Sequence, residues 1–191
     1  MTTTRALALG TGGLVVGAVA VSLVLMAFPR WRANRNVNAA VSAPTPAPPT
    51  GRRIKARLFY VAEDGTHLMG VDRDVPYGEG TLGQARQILE SQIAPVAEPL
   101  VSAVPPGTTV RALFVNERGD AYVDFSREIV TGHSGGALDE MLTIYTVVDA
   151  LTANLPAVTS VRMLVDGKEV DTLAGHVDLR RSFSKDLAWV Q

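Results

Sequence analysis

The stretch from Ser134 to Asp178 constrains the fold more than any other part of the chain. On a helix, Ala137, Leu138, Met141, Ile144, Tyr145, Val148, Leu151 and Leu155 fall within one broad apolar arc. Asp139, Thr143, Thr146, Ala150, Ala153 and Asn154 fall opposite. Leu142–Val148 is rich in β-branched residues and could pass for a strand. The helical period persists for roughly five turns, however, too long for an ordinary strand. β-branched residues lower helix propensity, so burial of the arc must supply most of the stability. Met141, Tyr145, Val148 and Leu155 are accordingly expected in the core. Pro156 ends the helix, and Ser160–Val165 reads as a buried strand. Asp166-Gly167 is a strong hairpin signal, since a type I′ turn needs positive φ twice. Glu169–Leu173 would return antiparallel.

The far face of this helix is small and weakly polar at Thr143, Thr146, Ala150 and Ala153. A helix facing only water usually carries long charged side chains there. Two arrangements fit. The 94–108 loop of the same chain can cover the face, or the four residues form an interaction face for an envelope partner or a second copy.

Ala6–Phe28 is an uncharged run of 23 residues, long enough to span a bilayer as a helix. The rival reading is a cleaved signal peptide, but Arg30, Arg32 and Arg35 intervene before the small residues around Val37-Asn38-Ala39. These arginines, taken literally, would hold the following domain in the cytoplasm, although a large domain can be translocated regardless. Residues 29–51 form a linker rich in proline and alanine, which favour extended conformers and build no core. The expected organisation is a tail (1–5), a transmembrane helix (6–28), a linker (29–51), a domain (52–182) and a C-terminal tail (183–191).

Within the domain, Ile54–Val61 and Leu68–Val75 read as strands around a Glu63-Asp64-Gly65 turn. Thr81 and Gln84 match a capping box before a helix over about 82–93. Thr109–Val115 and Ala121–Phe125 are two further strands. The order β-β-α-β-β-α-β-β argues α+β: a small mixed or antiparallel sheet with two helices packed on one face.

Few groups here suggest chemistry. The 18 basic and 19 acidic residues nearly cancel, which gives no field for nucleic acid. The absence of cysteine excludes disulfides, thiolate metal sites, a cysteine nucleophile and N-terminal lipid attachment through cysteine. His133-Ser134 lacks the strand–turn–helix setting of a nucleophile elbow, and Ser134 reads as an N-cap. His176 and Asp178 would share one face of an extended segment, as a structural polar pair rather than a metal site. Asp124 should point outward, solvated or capping. No phosphate loop follows the glycines of 132–136. No cofactor and no metal are expected.

LFYVAEDG, VPPGT, AYVDFS, LDEMLTIYTVVDALTANLPAVTSVRMLVDGK and TLAGHVDL occur in this order. Together they resemble the GerMN domain of spore-germination proteins, over Arg53–Arg181. The closing motif often has two glycines where this chain has Ala174-Gly175, and lipoprotein members carry a lipidated cysteine that is missing here. The resemblance implies a fold similar to ring-building envelope modules, held outside the cytoplasmic membrane and tethered to it. It carries over no catalytic residues. The expectation is a non-enzymatic interaction or scaffolding module of the cell envelope; the alternative is a wall-acting, peptidoglycan hydrolase-like enzyme with an unrecognised site.

Overall fold

Alternation of apolar side chains with Arg53, Lys55 and Arg57 makes Arg53–Val61 (β1) a strand. It pairs antiparallel with Leu68–Pro76 (β2), from Arg53↔Pro76 to Val61↔Leu68. The computed structural model describes residues 51–191, which form one compact unit. The membrane helix expected over 6–28 and nearly all of the 29–51 linker lie outside these residues. Among the described residues, no helix is long and apolar enough to cross a membrane.

The edge of β1 away from β2 is closed by side chains. Gln92 Oε1 accepts the Phe59 N–H at 2.8 Å, and its Nε2 donates to the Phe59 carbonyl at 2.7 Å. Asn154 does the same for Arg57, with both bonds at 2.8 Å. Beyond them the Val61 N–H donates to the Val101 carbonyl at 2.8 Å. Two carboxamides thus stand in for a neighbouring strand, covering backbone groups that would otherwise invite edge pairing. Gln92 is fully buried. Gln92→Met keeps the length and removes both partners of Phe59, so it should cost about 1–3 kcal/mol in a urea titration. A change below about 0.5 kcal/mol would show that the amide is dispensable.

Gln92 lies near the end of Gly80–Ile93 (α1), which buries Gln84, Ala85, Ile88, Leu89 and Gln92. The capping box is not formed: Glu79 is the N-cap and makes no side-chain cap bond. Gln84 instead reaches past Thr81, accepting from the Gly78 N–H at 2.9 Å and donating to the Pro76 carbonyl at 3.2 Å.

The second sheet is mixed. Val110–Val115 (β3) and Asp120–Phe125 (β4) are antiparallel, with a register slip between Val110 and Ala112. After the short helix Glu128–Thr131 (α2), Ala137–Asn154 (α3) carries the chain over to Ser160–Val165 (β5), which lies parallel to β4. A parallel pair needs such a crossover. Phe183–Ser184 (β6) then pairs antiparallel with β5. The fold is α+β as expected, but it has two sheets, ordered β1-β2 and β3-β4-β5-β6. Residues 183–191, expected as a tail, belong to it. Phe183 is buried, Leu187–Trp189 forms a 3-10 turn, and the Gln191 N–H donates to the Leu68 carbonyl at 3.0 Å.

Helix α3 packs against β1, α1, β5, β6 and the 3-10 turn, so it is enclosed rather than laid on one face. Every residue from Leu142 to Thr152 is buried. Tyr145, Val148 and Leu155 are core residues, as the apolar arc requires, and Met141 packs against the core partly buried. The proposed interaction face is corrected: Thr143, Thr146 and Ala150 are inside the domain and Ala153 is partly buried. The Thr143 hydroxyl donates to the Ala103 carbonyl at 2.7 Å, so the 94–108 loop covers this part of the helix. Small, uncharged residues on the far side of α3 reflect close packing by its own chain.

Candidate functional site

A dense polar cluster joins the first turn of α3 to the loop over 171–180. Glu140 is fully buried, although ionised side chains seldom are unless well partnered. Its Oε1 accepts the N–H groups of Ala174 at 2.7 Å and His176 at 3.0 Å, and its Oε2 accepts that of Val177 at 2.8 Å. His176 Nδ1 lies 3.1 Å from Oε1. Gly175, at φ +101, takes the backbone conformation that turns these N–H groups toward one carboxylate. Desolvation pushes the Glu140 carboxyl up. The Val177, His176 and Ala174 donors, with the imidazole, outweigh it and hold the carboxyl below its ordinary range. A lowered folded-state value means that the group stabilises the domain above its ordinary value of 4.5, and that this contribution is lost as pH falls through the lowered one.

This cluster separates the expected His176–Asp178 pair. His176 turns to Glu140, while Asp178 takes Arg180 in a two-pronged contact at 2.9 and 3.0 Å. The Arg180 side chain and then its N–H hold Asp178 at about 2. The same cluster explains why Glu169–Leu173 does not return as a strand. Asp166 and Gly167 do have positive φ, 51 and 74, but backbone pairing stops at Val165↔Lys168. Beyond that point the chain folds around a carboxylate rather than along β5. Asp124 caps the turn, accepting the Gly167 N–H at 2.7 Å, but is buried rather than solvated. Asp166 binds Arg111 at 2.9 Å and Arg127 at 3.1 Å.

His133 is occupied structurally. Its Nδ1 accepts from the Gly135 N–H at 3.0 Å, which leaves Nε2–H to donate to Thr143 Oγ1 at 3.2 Å. Ser134 is not the N-cap of α3; Gly136 is, at φ +95. The Ser134 hydroxyl donates to Asp139 Oδ2 at 2.8 Å instead. Among the described residues no group of three or more His, Asp or Glu side chains is placed to hold a metal ion.

Glu140 was not singled out from the sequence, yet a signal exists. It stands one helical turn before Ile144 and so borders the apolar arc, where an acidic residue needs a dedicated partner.

The family described as sporulation and spore germination, Germane, matches residues 57–171. The fold is similar to the tandem GerMN domains of the sporulation protein GerM from Bacillus subtilis, with TM-score 0.56 and 22% identity over 70% of this chain and 46% of that one. This chain therefore spans about half of the tandem structure. The first GerMN domain of that protein gives TM-score 0.53 and 22% identity over 67% and 94% of the two chains. A putative lipoprotein from Clostridium perfringens gives 0.51 and 19% over 70% and 88%. No curated protein matches the chain. The family match covers more than half of the chain, from within β1 to the loop that closes on Glu140, and the chain belongs to the Germane family of GerMN-type domains.

Proposed function

We propose that the protein is a membrane-anchored, non-enzymatic interaction or scaffolding module of the cell envelope, with its domain outside the cytoplasmic membrane. The observation that carries the reading is the fate of the acid and base groups. Glu140 and His133, which could have served proton transfer, each hold a loop of the chain's own backbone, and the His176 imidazole is taken up by Glu140. Polar groups used this way set the shape of a surface rather than a reaction centre. The relatives support the setting: one is described as a putative lipoprotein and another as a sporulation protein. The anchor is the uncharged 6–28 run, and the partner is an envelope protein or a second copy.

A membrane-impermeant amine-reactive crosslinker on intact cells tests location and partnership together, because Lys55, Lys168 and Lys185 are exposed. The expected result is a set of discrete adducts at these lysines that includes an envelope protein or a dimer. Adducts that form only after lysis would reverse the orientation. Turnover of purified peptidoglycan by the full-length chain would replace the module by an enzyme.

A further inference from the structure

On the side of α3 that meets the C-terminal segment, Asp149 is fully buried in mid-helix. Its Oδ1 accepts the Asp186 N–H at 3.2 Å, while Oδ2 has no hydrogen-bond partner among the described residues. Thr146 Oγ1, one turn earlier, is also buried without a partner among the described residues, so the helix supplies nothing to the free oxygen. An ionised carboxylate holding one long bond and no cation at bonding distance is an expensive thing to enclose. The segment that encloses it is lightly held. Two residues pair with β5, the Tyr145 ring stacks on Trp189 at 5.9 Å and meets Phe183 edge-on at 6.2 Å, Arg181 lies over the Phe183 ring, and Val190 and Gln191 are tied to Leu68.

We propose that residues 183–191 are a proton-controlled latch over α3, docked while Asp149 is neutral and loosened once it is charged. Undocking gives the carboxylate its water and bares the Tyr145 ring and the free edge of β5, a surface that the closed domain lacks. The charged groups facing Asp149 are Asp186 and Lys185 of the segment; on α3, Tyr145 faces Asp186, Asp149 and Arg181. Desolvation is the main effect, and it pushes the Asp149 carboxyl from 3.8 to about 6 against the pull of the Asp186 N–H and Lys185. A raised folded-state value sets the sign. Docking is strongest at low pH, weakens as pH rises from about 4 to about 6, and levels off above that.

Amide hydrogen exchange on the full-length chain, corrected for intrinsic rates, reads the latch directly. Protection over 183–191 should fall roughly 25-fold between about pH 4.5 and about pH 7, while α1 and β1 keep theirs. Asp149→Asn, neutral at every pH, should hold the segment at its acid-side protection throughout. Flat protection in the wild type would overturn the latch, as would loss shared equally by α1 and β1. So would an unchanged pH profile in Asp149→Asn; should that variant not fold, the wild-type profile measured against α1 and β1 decides alone.

Discussion

Replacing Glu140 by alanine should destabilise the domain by about 3–5 kcal/mol. The N–H groups of Ala174, His176 and Val177 all lose their acceptor at once. Each would cost about 1–3 kcal/mol if it stayed buried and unpaired. Half-exposed His176 lets water reach part of the loop, which keeps the total below the sum. Against a typical net stability of about 5–15 kcal/mol, this leaves a domain close to unfolding. Urea titration gives the loss, and the pH series gives a second reading. Wild-type stability should decline below about pH 4.5 as Glu140 takes up a proton, and Glu140→Ala should lack that part of the decline. A loss under about 1 kcal/mol would mean that the closing loop finds its bonds elsewhere.

Ala150→Lys should unfold the domain at neutral pH. The Ala150 side chain is completely buried, on a helix enclosed by its own chain. A lysine there needs room for four methylenes and a place for its charge. Overpacking alone costs about 1–3 kcal/mol, and an unpaired buried charge adds several more. The combined effect exceeds about 4 kcal/mol, the range reserved for named structural faults. Thr81→Lys on exposed α1 surface is the control and should change stability by less than about 0.5 kcal/mol. A folded Ala150→Lys protein with a near-normal urea midpoint would show that the face opens to the outside.

Two causes leave one trace in the sequence, which is why the far face of α3 was ambiguous. Missing charge at Thr143, Thr146 and Ala150 suits a contact with another molecule and cover by the same chain alike; only the position of the 94–108 loop separates them. The helix itself was legible because its apolar arc repeats over many turns. The Asp166-Gly167 turn was legible because its backbone angles demand those residues. The path of the chain beyond that turn was not, because the group that captures Ala174, His176 and Val177 lies more than thirty positions upstream, at Glu140. The parallel β4–β5 pairing is likewise non-local, and hairpin signals carry no information about it. Residues 183–191 are too short and too weakly patterned to announce a strand; Phe183 and Trp189 become meaningful only once Tyr145 is known to wait between them. His176 and Asp178, expected as one polar pair, are separated: His176 faces Glu140 and Asp178 binds Arg180.

The carboxamide closure of β1 also imposes an order of assembly. The hairpin of β1 and β2 is local and can form as soon as both strands have left the ribosome. Its outer edge waits for Gln92, 33 positions from Phe59, and then for Asn154, 97 positions from Arg57. At synthesis rates of about 5–20 residues per second, the second closure arrives about 5–20 seconds after Arg57 itself. For that interval the apolar ribbon around Phe59 is a half-finished sheet with an open side.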